Sequence, residues 1–320
     1  MAVYTEIDDD ALIAFMAAYD LGEVLSCKGI AEGIENSNFL VTTTQGPFIL
    51  TLYEKRVKIE DLPFFLGLMD HLAAYGVPCP VPIRTKGGET LRELSDRPAA
   101  LISFLPGMWP KRPSVMHCRY VGEALAQFHM AGENFQIKRN NALGVSAWRA
   151  TLDAAGQDVD SIKEGLFKKL TGDLDRLERS WPSDLPTGVI HADLFPDNVF
   201  FRQEYLSGVI DFYFACNDAY AYDIGICLNA WCFEPDLSFN ATKARRLLQG
   251  YQSVRPLEAK EIAALPILAE GAAMRFLLTR LYDWLNTPKN AFVTPKDPIE
   301  YLKKLEFHHH VKGPESYGLD

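Results

Sequence analysis

Apolar positions along the first hundred residues follow two different periods. Leu12, Phe15, Met16 and Tyr19 keep the three-and-four spacing of one helix face, and the acids at 8–10 can cap it. Residues 27–30, 38–43 and 47–53 instead read as short strands joined by glycine-containing turns. A second helical period runs through Leu62, Phe65, Leu66, Met69 and Leu72, and stops at Gly76 before the proline-rich 77–82. Two further strands are expected at 91–94 and 99–105.

Past this point the pattern changes. Residues 105–114 hold Pro106, Gly107, Pro110 and Pro113, the composition of a linker. Beyond it, helical periodicity predominates at 116–130, 161–177, 243–251 and 258–285, interrupted by strand-like runs at 188–190, 199–201 and 208–211. There is no internal repeat. A sheet-rich lobe followed by a mainly helical one predicts an α+β chain of two domains. The boundaries read as 1–102, a connector at 103–114, and 115–320.

The segment VIHADLFPDNVFFRQEYLSGVIDF, residues 189–212, carries the chemistry. An apolar strand delivers His191 and Asp193 into a loop, Asn198 follows Asp193 by five, and a hairpin returns to Asp211. Phosphoryl transfer asks a protein mainly for positioning and charge: a carboxylate to accept the acceptor's hydroxyl proton, and hard oxygen ligands for Mg²⁺. Asp193 suits the first task; Asn198 and Asp211 suit the second. The spacing H-x-D-x-x-x-x-N, flanked by strands and followed by I-D-F, matches a kinase catalytic loop with its metal-binding Asp. His191 reads as a buttress for the loop, and Asp223 in AYDIG as the group that orients it.

On these residues the chain resembles the aminoglycoside phosphotransferase/choline kinase superfamily, and within it the bacterial homoserine kinases of phosphotransferase-like type. The resemblance runs nearly end to end: GIAEGIENSNF (29–39), FILTLYE (48–54), DLPFF (61–65), HADLFPDNVFF (191–201), IDFYFAC (210–216), YDIGICLNAWC (222–232) and RFLLTRL (275–281). It implies a protein-kinase-like fold with a small sheet-rich N-lobe and a larger helical C-lobe. ATP and Mg²⁺ would lie between the lobes. Gly29, Gly33, Asn36, Ser37 and Asn38 would cover the nucleotide, and the backbone of Ser103, Phe104 and Leu105 would read adenine. The implied reaction phosphorylates the hydroxyl of L-homoserine to O-phospho-L-homoserine, a step of threonine biosynthesis. Two positions depart from the wider superfamily: Thr51 stands where a phosphate-pairing Lys or Arg is usual, and Phe65 or Gly67 where its partner Glu would be. Lys28, Lys55 and Arg56 are the remaining candidates for a phosphate cation.

Homoserine presents a carboxylate, an ammonium and a hydroxyl, so its site calls for an Arg as well as acids. Arg275 and Arg280 lie in an apolar helical run, with Asp283 three residues on as a possible internal partner. Tyr213, Asn217 and Trp231 follow the metal-binding Asp and could line the acceptor site. Aminoglycoside, choline and methylthioribose acceptors stay open on spacing alone, as does a nucleotide-binding protein without catalysis.

Composition narrows the field. A net charge of −10 argues against a nucleic-acid partner. No run approaches the roughly 18–20 uninterrupted apolar residues of a membrane span, and the N-terminus carries acids where a signal peptide carries bases. A cytoplasmic protein is expected, with no protein partner implied. The six cysteines have no zinc spacing and read as free, mostly buried thiols. Residues 307–320, with His308, His309 and His310, read as a mobile surface tail rather than a metal site.

Overall fold

A computed structural model describes residues 5–30, 36–54, 57–287 and 295–319. The chain forms two units. The first comprises 1–107 together with 207–213, and the second comprises 108–206 and 214–320.

The first unit is built on five antiparallel strands in the order β1-β2-β3-β5-β4. These are β1 (Val24–Gly29), β2 (Asn36–Thr43), β3 (Gly46–Tyr53), β4 (Arg92–Leu94) and β5 (Arg97–Ser103). Strand alternation sends Phe39, Val41, Leu50, Leu52, Ala99 and Leu101 to one face. There they pack against Leu12, Phe15, Met16 and Tyr19, from α1 (Asp9–Met16) and the turn after it. Asp8 caps α1, its carboxylate accepting from the N–H groups of Asp10 and Ala11. The same alternation places Thr51 and Tyr53 on the other face of β3. The helix α2 (Leu62–Ala74) contributes Phe65, whose ring lies 5.5 Å from that of Tyr213.

Residues 207–213 join this unit although they follow it by a hundred positions. Val209 N–H donates to the Pro78 carbonyl (2.9 Å), and Tyr213 sets its ring edge-on to Tyr53 at 5.6 Å. A linear boundary at 102–115 cannot express this return of the chain.

The second unit contains α3 (Val115–Gly132), α4 (Val145–Ala155), α5 (Leu166–Ser180), α6 (Tyr220–Trp231), α7 (Ala241–Val254), α8 (Ala259–Asn286) and α9 (Pro298–His309). The strand β6 (Thr187–Ile190) pairs antiparallel with β9 (Cys216–Ala219). Between them run β7 (Val199–Arg202) and β8 (Tyr205–Val209), a two-stranded sheet through which the chain passes into the first unit. Helices α3 and α7 cross closely because both are glycine at the crossing. A Cβ on Gly122 would meet the Leu247 carbonyl at 2.0 Å, and one on Gly250 the Arg119 carbonyl at 2.1 Å.

The 28-residue α8 is long and apolar enough to cross a membrane, yet 67% of its apolar stretch is buried inside the protein. Its apolarity is that of a core helix, and it carries Glu270, Arg275 and Arg280. Nor is 307–320 a loose tail. His308 is buried within α9, and its Nδ1 lies 2.8 Å from the hydroxyl of Tyr317, which is 0% exposed. Pro298 at the first turn and Asp297 capping Ile299 N–H start α9, a signal legible in the sequence.

Candidate active site

The loop that follows β6 is held through its own backbone. Asp223, on the first turn of α6, accepts from the N–H of His191 (2.7 Å) and of Ala192 (2.9 Å). Ala192 adopts φ 63°, a left-handed conformation that costs energy for any residue with a Cβ. Its carbonyl accepts from the Arg275 guanidinium on α8. Trp231 Nε1–H donates to the Leu194 carbonyl (2.7 Å). His191 Nδ1 accepts from Asp193 N–H (3.2 Å). Asn198 closes the loop, its amide donating to the Asp193 carbonyl at 2.8 Å and to Oδ2 at 3.3 Å.

Asp193 is therefore a fixed carboxylate. Burial raises its pKa to about 6, against the pull of Arg275, Lys296 and the Asn198 amide, while the charge of exposed Asp197 adds to the rise. A carboxyl tuned upward that still ionises near neutrality fits a proton acceptor.

Behind Asp223 stands a residue that sequence reasoning missed. His129 on α3 is fully buried. Its Nε2 lies 3.1 Å from Asp223 Oδ2 and its Nδ1 2.8 Å from the Tyr251 hydroxyl on α7. Arg255 donates to that hydroxyl (3.3 Å) and pairs with buried Glu261 (3.0 Å). Burial lowers the His129 pKa, so the ring is neutral: Nε2–H donates to Asp223, and Nδ1 accepts from Tyr251. Burial works to raise Asp223, but the hydrogen bonds it accepts from His129 and from the His191 N–H outweigh it and hold the carboxyl low. A lone His on an apolar helix gives no local sign of this. Its partner lies 94 residues away.

In the first unit, Asp211 also takes a left-handed backbone, φ 66°. Two residues on, Tyr213 sets its ring against those of Tyr53 and Phe65, and burial pushes its hydroxyl pKa up to about 12. Thr51 Oγ1 donates to Asn38 Oδ1 (2.8 Å), its register partner across β2 and β3. The position where the superfamily carries a Lys thus sits in a neutral hydroxyl and amide chain.

The expected nucleotide residues fall as follows. Gly29 ends β1, and Gly33 lies outside the described residues, as do Lys55 and Arg56. Lys28 is exposed on β1. Asn36 and Ser37 are buried and serve Glu54: Asn36 accepts its N–H, and Ser37 donates to its carboxylate (2.7 Å). Arg97 pairs with the same carboxylate at 3.1 Å. Ser103 bonds the backbone of Val81 through both its N–H and its hydroxyl, while Phe104 is exposed.

The acceptor candidates separate. Trp231 is core, spent on the loop carbonyl. Asn217 accepts from Arg139 N–H (2.9 Å) within β9. Tyr213 belongs to the first unit. Arg280 pairs with Glu300 (2.6 Å) rather than Asp283, stacks on Tyr301 at 4.4 Å, and shares Glu300 with Lys304. Among the described residues Arg275 forms no salt bridge, and its guanidinium donates to the Ala192 carbonyl.

The candidate metal ligands are oxygen donors. Because its amide nitrogen is committed to Asp193, Asn198 keeps its carbonyl oxygen for a ligand. Among the described residues no group of three or more His, Cys, Asp or Glu forms a ready cage. Oxygen donors of this type suit a hard cation of the Mg²⁺ kind, which is bound by few protein oxygens together with substrate phosphates and water.

Residues 26–257 match the model of the phosphotransferase enzyme family. The chain belongs to this family. It is 61% identical to a homoserine kinase of Rhodospirillum rubrum, covering 100% of this chain and 99% of that one. A homoserine kinase of Bradyrhizobium diazoefficiens is also 61% identical, over 100% and 98%. Among solved structures, an amicoumacin kinase superposes with a TM-score of 0.70 at 14% identity, covering 96% of this chain and 95% of the other. A spectinomycin phosphotransferase gives 0.68 at 13%, covering 98% of each. The expected kinase-like α+β fold, with a sheet-rich N-terminal region and a helical C-terminal one, is the fold of this phosphotransferase.

Proposed function

We propose that this phosphotransferase transfers the γ-phosphoryl group of ATP to the hydroxyl of L-homoserine, giving O-phospho-L-homoserine on the route to threonine. Identity near 60% along the whole chain to proteins named homoserine kinase supports the substrate. The observation that carries the chemistry is the fixed Asp193 carboxylate, with Asn198 fastened to it.

In this reading Asp193 orients the acceptor hydroxyl and takes its proton as the oxygen attacks phosphorus. Asn198 and Asp211 would hold Mg²⁺ through oxygen atoms, and the ion would supply positive charge to the phosphates. His191, Asp223, Trp231 and the Ala192 backbone keep the carboxylate in place, so little reorganisation is left to the reacting state. Gly29, Gly33, Asn36, Ser37 and Asn38 remain the proposed nucleotide cover, with Ser103, Phe104 and Leu105 reading adenine through backbone groups. Six free cysteines fit a reducing, cytosolic setting.

The test is acceptor-dependent ADP release with L-homoserine, choline, methylthioribose and kanamycin, for wild type and Asp193→Ala. Turnover with homoserine alone, lost in the variant, is expected. Turnover with kanamycin and none with homoserine would refute the substrate. Identical ADP release by both proteins with every acceptor would refute catalysis.

A further inference from the structure

Two arginines lie on α8 five residues apart, both buried, and they are not equivalent. Arg280 is saturated by Glu300, the Asp297 carbonyl and the Tyr301 ring. Arg275, 3% exposed, enters no salt bridge among the described residues. One of its terminal nitrogens reaches the Ala192 carbonyl, and its Nε is buried without a partner. A buried guanidinium lacking a counter-ion is costly, and an anion supplied by a ligand removes that cost.

Its surroundings point the same way. Arg275 acts on Asp193, the proposed base. The Tyr301 hydroxyl feels Arg280 and Glu300 first, and then Asp193 and Arg275. That hydroxyl is fully buried and has no hydrogen-bond partner, although Tyr and its O–H usually find one. Lys296, the other cation acting on Asp193, is exposed, lies 5.6 Å over the Phe195 ring, and has no ion pair among the described residues. Phe195 meets Phe276 edge-on at 4.9 Å, and the Arg275 guanidinium stacks at 4.2 Å on the same Phe276. Asp193 is thus accompanied by two cations that form no salt bridge among the described residues, a donor hydroxyl and an apolar aromatic pair. Polycationic or choline-type acceptors would leave both cations unmet; a hydroxy acid would not.

We infer that Arg275, assisted by the Tyr301 hydroxyl and Lys296, binds the carboxylate of the acceptor and makes the enzyme selective for hydroxy amino acids over analogues that lack the carboxylate. The inference rests on the homoserine reading and adds a residue-level basis for it. Arg280 is excluded from this role by its Glu300 partner.

The experiment compares L-homoserine with L-homoserine amide, which keeps the amine and hydroxyl and lacks only the charge. Wild type, Arg275→Gln, Arg275→Lys and Tyr301→Phe are assayed, each with separate KM values for acceptor and ATP. Wild type should favour homoserine by about 30-fold or more in kcat/KM, the scale of one charge-assisted pair. Arg275→Gln should raise the homoserine KM by a similar factor, leave the ATP KM within about 2-fold, and abolish the preference over the amide. Arg275→Lys should recover part of that preference. Tyr301→Phe, which keeps the ring packing, should lower it about 5-fold.

Equal loss of kcat on both acceptors in Arg275→Gln would reduce the residue to a clamp on Ala192 and overturn the inference. A raised ATP KM with an unchanged homoserine KM would assign the cation to phosphate and also overturn it. If the Arg275 variants do not fold, an unchanged preference in Tyr301→Phe, or a wild type indifferent to the amide, has the same effect. No wild-type turnover with homoserine overturns the functional reading itself, and this inference with it.

Discussion

The two units fix their functional residues by different physical means. In the helical unit the catalytic loop hangs on ionised, buried groups: Asp223 accepting two backbone N–H bonds, neutral His129 behind it, then Tyr251, Arg255 and Glu261. In the sheet-rich unit, the segment carrying Asp211 is held by neutral ones: the Asn38–Thr51 pair beneath it on β2 and β3, the Val209 N–H to the Pro78 carbonyl, and the Tyr213 ring against Tyr53 and Phe65. Charge gives strong, directional bonds at the cost of a large penalty when one partner is lost. Hydroxyls and rings hold less tightly per bond, and fail by smaller steps.

That contrast can be broken by substitution. Asp223→Ala should have the largest effect, destabilising by about 3–5 kcal/mol because it strands His129 and two N–H groups, and lowering kcat as Asp193 loosens. Urea unfolding monitored by circular dichroism measures the first, and saturation kinetics the second. Tyr213→Ala should follow at about 3 kcal/mol from lost ring packing. If Tyr213→Ala proved costlier than Asp223→Ala by a wide margin, the ranking of charged over neutral support would be wrong.

Acid should separate the units further. Burial, and secondarily the charge of Lys304, pushes His308 from 6.5 down to about 3. Between those values the unfolded chain binds a proton that the folded one refuses. Stability therefore falls as pH falls through this window, by about 1.4 kcal/mol per pH unit for the group. His129, also lowered, adds in the same sense below 6.5. Urea midpoints from pH 7.5 to 5 should show the slope, and His308→Gln should flatten it. An unaltered slope would place the acid sensitivity elsewhere. The smallest effect belongs to Thr51→Val, about 1 kcal/mol for one neutral hydrogen bond, with the ATP KM changed little. A loss as large as that of Asp223→Ala would mean that the hydroxyl chain is as demanding as the ionic one.

What the sequence made legible follows the range of each signal. The alternation in β2 and β3 and the periods of α1, α2, α3 and α7 are local, and emerge within two or three residues of the expected bounds. The H-x-D-x-x-x-x-N loop is equally local. Three things were not readable from neighbours. His129 draws its meaning from α6 and α7, brought near by the paired glycines of the α3–α7 crossing. Arg275 and Arg280 share one apolar stretch, and only α9 and the Ala192 carbonyl distinguish them. The helices α4 and α6 mix small and apolar residues without a clear stripe, and went unseen until their tertiary partners supplied the buried face.

The return of 207–213 to the first unit also orders events in time. Translation at about 5–20 residues per second delivers Tyr213 some 5–20 s after residue 107 has been made. Throughout that interval Tyr53 and Phe65 are without the ring that packs against them. The first unit cannot be completed until the chain has run on through most of a hundred further residues and come back.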